Sequence, residues 1–209
     1  MLHQSTVDES TLELLKQLQK KDYLKGFYLA GGTALSLKMG HRKSVDLDLF
    51  SNFSFDTSQL LENLSADFPF KLLFSANNTL KGSINKVQVD ILAHRYPLVA
   101  EPVVVENILM LSNEDIAAMK LNAITVSGQR VKDFIDVYYL LNIFTVEQMI
   151  GFYKIKYKEF NDANVLKSLC WFGDADLSDW PVLLESPRLN WKSVKNKIEK
   201  ATFDYLKNV

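Results

Sequence analysis

Residues Leu29-Ala-Gly-Gly-Thr-Ala-Leu-Ser-Leu37, followed by Ser44-Val-Asp-Leu-Asp-Leu-Phe50, decide how this chain is read. The apolar run Phe27-Tyr-Leu-Ala30 has the composition of a short strand, and Gly31-Gly32 punctuates it. Residues 33–39 are helix formers that stop at Gly40, the residue type that most readily takes the left-handed conformation after a helix. In residues 44–50 apolar and acidic residues alternate with the strand period of two. That spacing predicts Val45, Leu47 and Leu49 on one face and Asp46 and Asp48 on the other. The nucleus is thus a strand, a glycine turn, a helix and a second strand bearing two carboxylates.

Working outward, residues 10–25 read as a helix. Ser10 and Glu13 are spaced for a capping box, and Leu12, Leu15 and Leu18 form the apolar stripe. Downstream, residues 57–64 read as a helix and residues 72–75 as a short strand. Ala76-Asn-Asn-Thr79 and Lys81-Gly-Ser83 are turn-rich. A second alternating run, Lys86-Val-Gln-Val-Asp-Ile-Leu92, places Asp90 opposite Val87, Val89 and Ile91. The pattern then turns helical: residues 112–126, opened by Ser112-Asn-Glu-Asp115, then 131–142, 145–169 and 191–207. The expectation is an α+β fold. A mixed sheet flanked by helices occupies residues 1–110, and a mostly helical half occupies 111–209, with a soft boundary at 102–112.

Composition narrows the chemistry. Of 209 residues, 47% are hydrophobic and 23% charged, with a net charge of -1, so a real core is expected and no global basic field advertises nucleic acid. A single cysteine excludes an intramolecular disulfide and the cysteine-based zinc frameworks, and three histidines make a His-rich metal site a poor reading. Any metal would sit on carboxylates, which points to Mg²⁺ or Mn²⁺. No apolar run approaches the roughly 18 residues that span a bilayer, and the first residues lack the form of a signal peptide. The expectation is a cytoplasmic protein with no membrane association.

Asp46, Asp48 and Asp90 are the first candidates for a site. Two aspartates two apart on a strand share a face, and a third on a neighbouring strand completes a cluster that repels itself unless cations neutralise it. Such clusters hold the divalent ions of in-line phosphoryl displacement. A D-x-D pair alone equally fits a solvated sheet face. Gly31, Gly32 and Thr33 stand between strand and helix, where backbone N–H groups and the helix N-terminus suit an anion. A tight turn with Thr33 as N-cap is the plainer alternative. The segment is neither a Walker A loop nor a G-x-G-x-x-G fingerprint.

Gly31-Gly-Thr-Ala-Leu-Ser-Leu37, His41-Arg42 and Ser44-Val-Asp-Leu-Asp-Leu-Phe50 strongly resemble the AbiEii/AbiGii toxin family of the DNA polymerase β-like nucleotidyltransferase superfamily. A later block, Lys120-Leu-Asn-Ala123 with Arg130-Val-Lys-Asp-Phe-Ile-Asp136, follows in the family's order. The resemblance covers residues 29–142, about half the chain. It implies that Gly31, Gly32 and Thr33 hold the triphosphate of an NTP, that Asp46 and Asp48 ligate the metals, and that Asp90 is a third ligand or general base. It also implies that Lys120 neutralises phosphate charge and that Lys132, Asp133 and Asp136 line the site, without choosing between the two aspartates. On the residues themselves, Asp133 and Asp136 could instead pair with Arg130 or Lys132. Arg42 and Ser44 stand near enough to touch nucleotide or metal-bound water, with a surface ion pair as the alternative for Arg42. His41 reads as a surface or turn residue, and His94 and Arg95 as an exposed loop.

The function so implied is transfer of a nucleoside monophosphate from an NTP to an acceptor, with tRNA or other RNA first among acceptors. The role implied is the toxin of a toxin–antitoxin or phage-defence pair with a cognate antitoxin. Transfer to an aminoglycoside-type small molecule or to a protein, and a non-catalytic nucleotide-binding module, stay open. Trp171, Trp180 and Trp191 are spaced for core packing or helix edges rather than a base-stacking surface. Tyr153-Lys-Ile-Lys-Tyr-Lys158 reads as a solvated helix face, with Phe152, Ile155 and Phe160 inward. It is also the best local candidate for an RNA backbone contact.

Overall fold

The computed structural model describes residues 1–158 and 161–207. The chain forms two compact units, one of residues 1–97 with 101–111 and one of residues 98–100 with 112–209.

The first unit opens with α1 (Glu9–Gln19), which buries Leu12, Leu15 and Leu18. Its N-cap is Asp8 rather than Ser10, and Glu13 reaches along the helix to Lys16 at 2.9 Å instead of closing a capping box. The helix ends earlier than the spacing predicts, and a 3-10 turn at Asp22–Leu24 follows. β1 (Tyr28–Leu29) then passes directly into α2 (Gly31–Met39), whose C-cap Gly40 takes a left-handed φ of 73°. β2 (Leu47–Ser51), α3 (Thr57–Asp67), β3 (Phe70–Ala76), β4 (Thr79–Ile84) and β5 (Val87–Ala93) come next. β6 (Val103–Val105) and β7 (Ile108–Met110) close the unit.

The sheet has 7 strands in the order β3-β4-β5-β2-β1-β7-β6. β2 runs parallel to β5 and β1 parallel to β7, and the other neighbours are antiparallel. Leu29, Leu47, Leu49, Leu80, Ile84, Val89 and Ile91 are fully buried on its covered side. The expected mixed sheet is present, with three differences. Val45 precedes β2 and is 57% exposed, because pairing begins only at Leu47. Lys81-Gly-Ser83 is strand rather than turn: Leu80, Gly82 and Ile84 face inward and Lys81 and Ser83 outward, an alternation that the glycine hides. Residues 102–112 contain the hairpin of β6 and β7, whose strands are too short to show a period.

The second unit is helical: α4 (Asn113–Val126), α5 (Val131–Leu140), α6 (Val146–Lys156), α7 (Asp162–Leu169) and α8 (Trp191–Leu206). Ser112 caps α4 through Asp115, as the motif predicts, and the long stretch read over 145–169 divides into α6 and α7. α4 is central and packs on α5, α6 and α7. On α6 the predicted faces hold only in part: Lys154 and Lys158 are exposed and Phe152 is half-buried. Tyr153, Lys156 and Tyr157 are buried and Ile155 is exposed, because Lys156 turns inward to the buried Asp115; Phe160 lies outside the described residues. Lys156 is thereby withdrawn from the surface, whereas Lys154 and Lys158 remain on it. Trp180 and Trp191 join the ring cluster of Phe134 and Phe172, whereas Trp171 is 58% exposed and donates its indole N–H to Asp174.

Candidate active site

The glycine turn is built around two charged side chains. Gly31 has φ +64°, a conformation that costs a side chain-bearing residue strain, and a Cβ there would collide with the Asp48 carboxylate. A Cβ at Gly32 would collide with the Arg42 guanidinium. The turn is therefore glycine on both counts, with an anion beside its first residue and a cation beside its second. The Ala30 N–H donates to the Asp48 carbonyl at 2.8 Å, which fixes the end of β1 on β2.

Thr33 does not cap α2; the N-cap position is Ala30. The buried Thr33 hydroxyl donates to the Asp46 carbonyl at 2.5 Å and bonds the Ser44 hydroxyl at 2.8 Å. It thus ties the helix to the segment that delivers Asp46. That segment is itself covered from the N-terminal side, where the Ser44 N–H donates to the Thr6 carbonyl and the His3 N–H to the Leu37 carbonyl. The cover explains two departures from expectation. His41 is fully buried rather than at the surface, and Arg42 is buried too, with its Nη1 donating to the Lys43 carbonyl at 3.0 Å.

Asp48 and Asp90 are register partners on the parallel strands β2 and β5, so their side chains share the sheet face. Asp46 lies just before β2 and is half-buried. Asp90 is nearly covered: Lys81 Nζ stands 2.9 Å from its Oδ2, and the Gln88 amide donates to Oδ1 at 3.3 Å. Lys81 went unrecognised because it sits in the glycine-bearing strand; the signal was Leu80 and Ile84 four apart with polar residues between. Hard oxygen donors on one small area suit Mg²⁺ or Mn²⁺ in donor chemistry. As the side chains are placed, with Asp90 turned to Lys81, no three acidic, His or Cys residues gather into a metal-sized cluster among the described residues. His94 packs between Phe50 and Tyr96, and Arg95 reaches the Ser54 hydroxyl.

In the second unit Lys120 is buried and paired with both Asp133 at 2.6 Å and Asp136 at 2.7 Å. Those aspartates thus pair with Lys120 rather than with Arg130 or Lys132, and Lys132 binds Asp179 at 2.6 Å. α4 and α5 pack on each other across a short connection that includes Gly128, a left-handed glycine, and their contact brings the three side chains together.

A family model described as "Nucleotidyl transferase AbiEii toxin, Type IV TA system" matches residues 13–101 and 69–207. The chain belongs to this family. It is a nucleotidyltransferase, as the blocks at 29–50 and 120–136 imply. An uncharacterized protein of Aquifex aeolicus is 29% identical over 205 residues, which is 94% of this chain and 96% of that one. Among solved structures, MenT4, a nucleotidyltransferase toxin of Mycobacterium tuberculosis, has a TM-score of 0.60 at 15% identity, covering 94% of this chain and 84% of its own. JHP933 of Helicobacter pylori has a TM-score of 0.57 at 18% identity, covering 97% and 94%. These two structures share the fold of this AbiEii-family chain. No helix among the described residues is long and apolar enough to cross a membrane.

Proposed function

We propose that this AbiEii-family chain transfers a nucleoside monophosphate from an NTP to the end of an RNA, with tRNA the first acceptor to test, and releases pyrophosphate. The observation that carries the reading is the glycine turn seated on Asp48, with Asp90 beside it in register. Asp46, Asp48 and Asp90 would hold Mg²⁺ or Mn²⁺. When bound, such an ion offsets the charge on the phosphates and on the oxygens of the in-line displacement.

The protein's own groups do the rest by position and charge. Without Cβ atoms, Gly31 and Gly32 let a triphosphate approach the backbone, and the Arg42 guanidinium behind Gly32 adds positive charge there. Thr33 and Ser44 keep the Asp46 segment against α2. Asp90 orients the acceptor hydroxyl and takes its proton as the oxygen attacks the α-phosphorus and the bond to pyrophosphate breaks. On the family resemblance, Lys120 neutralises nucleotide phosphate charge, and its pairing with Asp133 and Asp136 holds its ammonium in one place. Lys132 is assigned to the nucleotide on the same ground.

A toxin role, countered by a cognate antitoxin, follows from the family's description and agrees with the printed name of MenT4. The test is incubation with each labelled NTP, Mg²⁺ or Mn²⁺, and a mixture of total RNA and protein. Label on RNA is expected, and its loss with EDTA. Label on protein alone, or on an added aminoglycoside alone, rejects the RNA acceptor; transfer that survives EDTA rejects the metal.

A further inference from the structure

The sheet face that bears the carboxylates continues past them to the free edge. Cross-strand partners share a face, and the register lines up Asp48 on β2, Asp90 on β5, Lys81 on β4 and Phe74 on β3. The neighbouring row on that face is Gln88, Ser83 and Lys71. β3 is an edge strand, and Phe74 is 52% exposed there.

Phe74 reaches this face through an irregularity. The β3–β4 register shifts between Leu72 and Phe74, which makes Leu73 an extra residue. With regular pairing Leu73 would stand opposite Lys81, and Phe74 would fall on the other face. Bulges of this kind re-aim side chains beside active sites. The aromatic ring is thus delivered to the one row that ends on two site carboxylates. Lys81 bonds Asp90 through one of its three ammonium protons, and with its side chain 43% exposed it has room for a second acceptor. The local charge also suits a polyanion: residues 70–95 hold Lys71, Lys81, Lys86 and Arg95 against the single acid Asp90, in a chain whose net charge is -1.

We propose that Phe74, Lys81 and Lys71 form a track for the single-stranded end of the acceptor RNA. A base near the end stacks on Phe74, a backbone phosphate rests on Lys81, and the terminal hydroxyl comes to Asp90. Phe74 and Asp90 are two strand spacings apart, about 10 Å, which the last nucleotides of a strand can span. Aromatic platforms interleaved with cations are how single strands are held without regard to sequence. Lys81, touching both phosphate and Asp90, couples the seating of the acceptor to the carboxylate that meets its hydroxyl. The track rests on the RNA-acceptor reading above.

The test uses fluorescent RNA hairpins, one with a single-stranded 3′ tail and one blunt, followed by anisotropy without NTP. Phe74→Ala is expected to weaken binding of the tailed RNA about tenfold, leave the blunt RNA unchanged, and raise KM for tailed acceptor but not for NTP. Phe74→Trp restores binding. Lys81→Gln lowers the slope of log K against log salt by about 0.7, the share of one phosphate on a single strand. Should Phe74→Ala fold poorly, the Phe74→Trp and Lys81→Gln results decide. A wild type that labels RNA, with Phe74→Ala binding the tail normally or losing both RNAs alike, overturns the track and leaves the RNA reading standing. A wild type that neither binds nor labels RNA overturns both.

Discussion

The two units put lysine–aspartate pairs to opposite uses. In the sheet unit Lys81, with its side chain 43% exposed, reaches from solvent to the nearly covered Asp90, and Asp46 and Asp48 are half-buried beside the glycine turn. In the helical unit the Lys156 and Asp115 side chains are 1% and 0% exposed, and Lys120 is enclosed with Asp133 and Asp136. Asp115 further accepts from the Val99 and Ala100 amides and the Ser112 hydroxyl. Charges taken out of water must keep their partners, because a survivor left alone in the interior is strongly unfavourable. Where one partner stays in solvent, as Lys81 does, its ammonium can turn to another anion or to water at smaller cost. A pair that keeps one end in solvent can open to a ligand, whereas the fully enclosed Lys156 and Asp115 hold the helical framework together.

That contrast breaks most visibly if stability and activity fail together. Asp48→Asn should lower transfer by about 1000-fold or more, on the order of 4 kcal/mol of transition-state stabilisation, while the urea midpoint stays near the wild type. Lys156→Ala should do the reverse to the fold. It strands Asp115 in the interior and should cost about 3–5 kcal/mol of unfolding free energy, read from urea denaturation. Equal destabilisation by the two substitutions would show that the sheet carboxylates are framework as well.

Glycines sharpen the same comparison at a smaller scale. Gly31→Ala meets a positive φ and the Asp48 carboxylate together. It should cost about 1–3 kcal/mol in stability and reduce transfer, since Asp48 must move. Gly151, inside α6, has nothing within 4 Å of where its Cβ would be. Gly151→Ala should therefore stabilise by about 0.4–1 kcal/mol. A stabilising Gly31→Ala would mean that the turn is not held against Asp48.

What could be read beforehand follows the same division between regular and context-dependent features. The alternation at 47–50 and 87–92, the Gly40 stop and the Ser112 cap are local chemistry, so β2, β5, the C-terminal end of α2 and the N-terminal end of α4 were legible in sequence. β4 was not, because Gly82 interrupts its pattern where an inward side chain would meet Phe70 and the Lys71 backbone. Of the site, the order of Gly31, Gly32, Asp46 and Asp48 was legible as a motif. The burial of Arg42 and His41 was not, since it depends on residues 3–6 folding back over that loop. Nor was the inward turn of Lys156. A lysine among aromatic residues reads as surface until the buried Asp115 forty-one positions away is known. The pairing of Lys120 with Asp133 and Asp136 likewise depends on how α4 and α5 face each other.

The smallest effect tests the open end of the comparison with pH. Asp67, at the end of α3, accepts from the Tyr23 hydroxyl at 2.8 Å and pairs with Lys21 at 3.0 Å. The Lys21 ammonium, with help from the Tyr23 hydroxyl, holds its carboxyl below the usual value of 3.8. Burial raises the Tyr23 phenol, and its bond to the Asp67 carboxylate raises it further. A folded-state carboxyl below its unfolded value contributes stability that is present above about pH 4 and disappears as the pH falls through the folded value. Asp67→Asn should therefore melt slightly below the wild type at pH 7, and the two curves should meet once the pH has fallen below the folded-state value of the carboxyl. Because the pair is solvent-exposed, raising the salt at pH 7 should also narrow the gap. A gap that persists at low pH and high salt would show that Asp67 acts through packing at the helix end and not through its charge.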